Sequence, residues 1–528
     1  MNQTRDSCYT VHTTRWAMPG QEESQRSPPS AGMCYRHTYR FGSPARCDLV
    51  GCVTVHHIIV SSPVTASWRG MRRPGCVPAT DIEELFCQIQ EVAGLLVSTY
   101  GLTIRTTEPL KDEQVQEALV HLFRKVPTLR LCFRRQKDVF WACEMNREHI
   151  DFKAVDRSDQ LKLQEELMNH QFNNSEGPLW CARLLQHNSC GGTTSPGLEA
   201  SFPYSRSLIL ANHHGIADGT TNCRTVNCFL RILDDVIAGN PIDDSEQLGE
   251  LASGDETAAL LAAMEEEIKK NVDDLEQTLE EYKKKLESEK LLCRAFPNQD
   301  DPNYITKIVS ETLDEETTSR FFRRCKQEGV TVNSGFAALM NCSVVDLVRE
   351  MGMKQDNYSI QMIHAVNMRR YWQGDVSRAL GCHIAVISQH ETLTQQWRDN
   401  FWQYTRNLHT NVHESLKDKG PLKYWIYYFM VKGDDAIGKM LKERPEEDSD
   451  YCLANIGNLD HLIPTEGDHA RLAHLVRTTQ CWNERVCLML HSLRGRLLYN
   501  LCYTSDSLTE QQAHRLTDLI FQNLKDMI

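Results

Sequence analysis

The sequence predicts an α/β protein of two domains, and three observations predict it. The chain is 528 residues long, past the size at which one hydrophobic core keeps growing, so two domains are the natural division. From about residue 80 onward, short apolar or alternating runs of strand type are interleaved with stretches of helical period. Residues 208–219, LILANHHGIADG, carry a buried-strand pattern into two histidines and an aspartate, and an amphipathic helix follows. Strand-to-helix turns of that kind are where α/β sheets build their sites.

Composition narrows the function classes. A net charge of −13 argues against a general nucleic-acid binder, whose footprint would be basic. No apolar run approaches the 18 or more residues of a membrane span, and the N-terminus shows no apolar signal-peptide core. The 20 cysteines are scattered, without a C-x-x-C pair, and are expected to be reduced and mostly buried thiols in a cytosolic protein.

Residues 1–78 stand apart from the rest. They hold nine arginines and no lysine, five cysteines and the turn-rich Ser27-Pro28-Pro29-Ser30, so a disordered or loosely attached extension is expected. Cys47, Cys52, His56 and His57 match no usual zinc-finger spacing. Helical spacing begins at 81–95, with Ile82, Leu85, Phe86 and Ile89 on one face. A strand at 102–106, a helix at 111–124 closed by Pro127, and a strand at 129–133 follow. Ala182 to Leu185 reads as another strand, and a polar loop fills 186–205. The strand at 208–211 leads through the two histidines to a helix from Thr220 to Ala238, stopped by Gly239. Leu261, Met264, Ile268, Leu275, Leu279, Tyr282 and Leu286 form a three-and-four stripe along 257–292, read as one long helix linking two domains.

The second half repeats the alternation. Tyr304 to Val309 is a strand, and Thr312 with Glu315 has the spacing of a capping box for a helix that Gly329 stops. Asn333 is placed as the cap of the next helix, which runs to about Gly352. Strands at 359–366, 486–491 and 497–503, a helix at 397–416, and a final helix boxed by Thr509 and Gln512 complete the chain.

HHGIADG (His213, His214, Asp218, Gly219) resembles the signature of the condensation-domain and chloramphenicol-acetyltransferase-like superfamily. That group includes alcohol acetyltransferases, polyketide-associated acyltransferases and BAHD-like enzymes. Weaker pieces follow in the family's order. VPTLRL resembles an early helix-to-strand step. Phe172 and Gly177-Pro178-Leu179-Trp180 resemble the "F…GPLWR" strand, with Cys181 where an Arg is common. Asn367-Met368-Arg369 resembles "D/N-x-R", Gly381-Cys382-His383-Ile384 a tunnel-lining strand, and 453–458 the "SNlG" segment, with Ala454 in place of Ser. The resemblance runs from about residue 80 to 528. It implies two chloramphenicol-acetyltransferase-like lobes with a tunnel between them: a first lobe at 79–250, the linker helix at 251–300 and a second lobe at 301–528.

It also implies chemistry. His214 would be the general base, suited to the task because a neutral imidazole takes a proton near pH 7. His213 would face the core, since neighbours on an extended chain point to opposite sides. Asp218 would pair with Arg369 and hold the loop, while a backbone N–H near Gly219 would serve the oxyanion. Gly381, Asn455 and Gly457 would line the substrate site. The expected reaction transfers an acyl group from a thioester, acyl-CoA or an acyl carrier protein, to a small-molecule or lipid-like hydroxyl or amine acceptor. No bound cofactor and no metal are expected, because the two adjacent histidines diverge. The chain lacks a G-x-S-x-G elbow, a Walker loop, a G-x-G-x-x-G turn and an H-E-x-x-H helix, which removes the corresponding hydrolase and nucleotide classes. An amide-forming condensation enzyme and a catalytically inactive binding protein of the same fold remain as alternatives.

Overall fold

Two apolar sheets organise the chain. The computed structural model describes residues 76–136, 139–186, 196–298, 304–433, 449–464, 467–481 and 484–528, all within the unit His56–Ile528. The first half contributes strands β1 (Cys76–Pro78), β2 (Val97–Thr106), β3 (Leu131–Gln136), β4 (Val139–Glu144), β5 (Phe152–Val155), β6 (Trp180–Leu185), β7 (Tyr204–His213) and β8 (Glu250–Leu251). The second contributes β9 (Thr306–Thr312), β10 (Asn357–Asn367), β11 (Ala379–Leu380), β12 (Ile384–Thr394), β13 (Tyr451–Asn458), β14 (Ala470–Thr479), β15 (Val486–Leu493) and β16 (Arg496–Thr504). A five-stranded sheet has the order β14-β2-β7-β6-β5, and a six-stranded sheet the order β12-β10-β13-β15-β16-β9.

Each sheet carries its own core. Around β7, the strand residues Leu208 and Ile209 are fully buried against helix residues Leu119, Phe229 and Leu233. The six-stranded sheet buries Tyr358, Ile360, Leu488 and Leu501 against the helix Val332–Glu350, whose residues 334–348 are all buried. A helix with no polar face belongs inside a core.

The division at residue 301 is crossed by β14, which leaves the second half to pair antiparallel with β2. β8 and β11 also join the halves, as a two-stranded parallel sheet. The stripe at 257–292 is not one linker helix. It breaks at Asn271 (φ −98°, ψ 60°) into the helices Asp255–Lys270 and Val272–Glu287, and a short helix Leu291–Ala295 follows. The stripe packs on the aromatic helix Gly420–Lys432: Met264 and Ile268 meet Leu422 and Ile426, and Leu286 meets Tyr428. The apolar face is therefore satisfied by one partner helix, and the break lets both segments reach it.

Two caps differ from the sequence reading. Asp314, not Thr312, caps the helix Glu315–Gln327, its carboxylate accepting from Thr317 N–H at 2.7 Å; Thr312 is the last residue of β9. Thr331, not Asn333, caps Val332–Glu350. Thr509 and Gln512 do form the last capping box. Ordered structure starts inside the expected extension, because β1 pairs with β4; the Cys47, Cys52, His56 and His57 group lies outside the described residues. The expectation of reduced cysteines needs one correction: Cys76 and Cys143 form a disulfide across the β1–β4 pair. Eleven other described cysteines are free and buried. Within the polar loop at 186–205, residues 196–201 form a helix and β7 already begins at Tyr204.

Candidate active site

β7 lies between β2 and β6 and delivers both histidines to the end of the five-stranded sheet. His213, its last residue, is fully buried. Its Nδ1 accepts from the Gly215 N–H at 2.9 Å, which places the ring proton on Nε2, a buried atom without a partner. Burial and the neighbouring His214 push its pKa down to about 3, so His213 stays neutral. A Cβ on Gly215 would stand 2.9 Å from His213 Cε1, and the tight turn therefore needs glycine.

His214 opens a 3-10 turn, His214–Ile216, and its ring is half-buried. Phe86 meets it edge-on with centroids 5.1 Å apart, and Cys382 Sγ lies 3.7 Å from Nδ1. Burial lowers its pKa, opposed by a bond to its own backbone carbonyl and by the Asp218 charge.

Asp218 caps the helix Gly219–Ala238. One carboxylate oxygen accepts from Thr221 N–H at 2.9 Å. The other accepts from Arg369 Nη1 at 2.6 Å and from His383 N–H at 2.9 Å. Both side chains are 2% exposed. Burial would raise the carboxyl, but the Arg369 guanidinium and the two N–H groups more than offset it and hold the pKa below the usual carboxylate value. Arg369 Nη2 also donates to Thr221 Oγ1 and to the Gly381 carbonyl, each at 3.1 Å. One ion pair thus ties the start of the signature helix to the turn between β10 and β12.

The remaining expected residues fall in different places. Gly381 (φ +125°) offers its carbonyl to Asp218 N–H, Thr221 Oγ1–H and Arg369, so it belongs to the lock around Asp218. Gly219 is half-buried at the first turn of its helix. Asn455 and Gly457 sit on the irregular end of β13, where the Asn455 side chain accepts from Gly457 N–H at 2.9 Å. Gly457 is exposed, and the residue of this segment that meets the site is Ile456, whose Cδ1 would lie 3.1 Å from a Cβ on Gly219. On the sheet face turned from the helical core, Ala365, Val386, Ala454 and Ile456 are half-buried. His214 lines neither the recess of about 680 Å³ beside Thr509–Asp518 nor the one of about 20 Å³ between Tyr100, Trp180, Asn212 and Asn222.

No protein-family model matches the sequence, and no curated protein matches it. Solved structures do. A trichothecene 15-O-acetyltransferase from Fusarium sporotrichioides is similar over 86% of this chain and 95% of its own, with a TM-score of 0.63 at 12% identity. The first condensation domain of the CDA synthetase covers 86% and 97%, with a TM-score of 0.59 at 12% identity. The fold is that of the condensation domains. Polyketide synthase associated protein 5 from Mycobacterium tuberculosis shares it too, over 86% of this chain and all of that one, with a TM-score of 0.56 at 14% identity. Within this condensation fold, sequence reasoning missed Thr221, and it put Cys382 and His383 on a tunnel-lining strand without bringing them to His214 and Asp218. A run of S/T/N/D residues after the histidines signalled a cap, but not which distant strand would close on it.

Proposed function

We propose that the protein is an acyltransferase that moves an acyl group from a thioester to a hydroxyl or amine, with His214 as general base. The observation that carries this reading is a neutral, half-buried His214 on a turn locked by the buried Asp218–Arg369 pair. His214 Nε2 takes the acceptor's proton as its oxygen or nitrogen bonds to the thioester carbonyl carbon. The tetrahedral oxyanion is met by a backbone N–H at Gly219. The C–S bond then breaks, and the departing thiolate takes the proton from the imidazolium. A positioned base of this kind contributes roughly 10²–10⁴-fold, or about 3–5 kcal/mol of barrier.

An acyl-CoA and an acyl carrier protein present the same thioester, and either serves as co-substrate. A small-molecule or lipid-like acceptor fits the half-buried small apolar strip of Ala365, Val386 and Ala454, which we assign to the tunnel wall. A cytosolic location accords with the 11 free, buried cysteines, while the Cys76–Cys143 bond weighs against it. Purified protein incubated with a panel of acyl-CoAs, alcohols and amines should release free thiol only when an acceptor is present. Thiol release that ignores the acceptor would refute the transferase reading. The similarity to condensation domains favours amide formation as the second reading, distinguished by turnover of amines with carrier-bound donors alone. Binding without thiol release on any donor would leave the inactive alternative.

A further inference from the structure

Arg477 is among the largest fully buried side chains, 2% exposed. It lies on β14, opposite Tyr100 on β2. Its Nε faces His491 Nδ1 at 3.4 Å, and Nη2 donates to the carbonyls of Leu490 at 2.8 Å and Ala454 at 3.3 Å. His491 is neutral, because burial and the Arg477 charge hold its pKa well below the ordinary value. No carboxylate among the described residues pairs with Arg477. Two other buried arginines have one: Arg183 pairs with Asp151 and Arg369 with Asp218. A buried guanidinium without a counter-charge is costly and rare.

The remaining nitrogen, Nη1, points to a notch. It lies 3.5 Å from where a Cβ on Gly219 would stand, with Ile456 Cδ1 at 3.1 Å and Tyr100 Oη at 4.0 Å from the same point. Tyr100 shares hydrogen bonds with both Asn222 and Arg477. Gly219 and Ile456 are half-buried. Gly219 is also the first residue of a 20-residue helix, whose N-terminal turn is capped by Asp218. Guanidinium and phenol hydroxyl thus converge on the space in front of Gly219, where only the end of the Ile456 side chain stands close.

We propose that this notch receives a carboxylate carried by one of the two substrates, with Arg477 as the specificity-determining residue. The inference rests on the acyl-transfer reading and names its substrate class. The carboxylate sits either on the acyl chain or on the acceptor, and two matched pairs separate the sources: glutaryl-CoA against pentanoyl-CoA as donors, and 4-hydroxybenzoate against its methyl ester as acceptors. In the wild-type protein one pair should favour the charged member in kcat/KM by roughly ten- to hundredfold, the worth of a charged hydrogen bond. Arg477→Gln should collapse that ratio toward one, mainly through KM, and Tyr100→Phe should reduce it in part. The wild-type ratios stand alone if Arg477→Gln does not fold. Ratios at or below one in both pairs, with acceptor-dependent thiol release intact, overturn the carboxylate site and leave acyl transfer standing. Absence of acceptor-dependent thiol release with every pair overturns both.

Discussion

Replacing Arg369 by Met keeps the bulk of the side chain and removes its charge. Four contacts disappear: those to Asp218 Oδ2 at 2.6 Å, Thr221 Oγ1 and the Gly381 carbonyl at 3.1 Å each, and Asn367 Oδ1 at 3.2 Å. Asp218 keeps two backbone donors, Thr221 and His383 N–H, but its carboxylate is then a buried charge without a cation. Breaking a buried pair in this way costs about 3–5 kcal/mol. The loss has a pH signature. In the wild type the Asp218 pKa is lowered, so its contribution is present above the unfolded carboxyl pKa and fades as pH falls. In the variant burial is opposed by fewer donors and the carboxyl pKa rises, so the deficit is largest near pH 7 and shrinks toward acid. Urea unfolding at pH 7 and pH 5, with an unchanged denaturant slope, reads both effects. Asp218→Asn should also cost less in the Arg369→Met background than alone. A deficit under about 1 kcal/mol at pH 7, or one that does not vary with pH, refutes the account of this pair as the lock of the histidine loop.

Three further outcomes follow from the same coordinates. Because the His214 pKa is lowered from 6.5 by burial and the neutral ring is the active form, kcat/KM should hold constant down through pH 6.5 and fall only below it; a fall centred above pH 7 contradicts the assignment. Burial holds His213 at about 3 and His364, His383 and His474 at about 4, so each takes a proton on unfolding as pH drops below 6.5 and costs up to about 1.4 kcal/mol per pH unit. Glu83 and Asp450, raised to about 7 and 6, oppose part of this, and the Tm should still decline from pH 6.5 to 4.5. Gly381→Ala places a Cβ 2.7 Å from His383 Nε2 at a φ of +125° and should destabilise by roughly 1–3 kcal/mol; an unchanged Tm would show that the turn relaxes.

The strand, the histidine turn and the helix from Gly219 are legible because each is a local pattern: an apolar run, two histidines, three small or apolar spacers, then Asp218 ahead of the amphipathic helix. Arg369 was reachable only through the family resemblance, since nothing local to 367–370 reveals a partner 151 residues away. The destination of β14 was not legible. The strand itself was not read from the sequence, and only the structure shows it beside β2. Arg477 was missed for the same reason, because its meaning depends on the absence of a carboxylate around it in space. The break at Asn271 was hidden by a stripe that continues in register on both sides.

The most direct test of the central claim is the steady-state rate of acceptor-dependent thiol release by His214→Ala, measured beside its melting temperature. A loss of roughly 10²–10⁴-fold in kcat with a native-like melt is the predicted result. A folded variant that turns over at the wild-type rate would show that this imidazole is not the base.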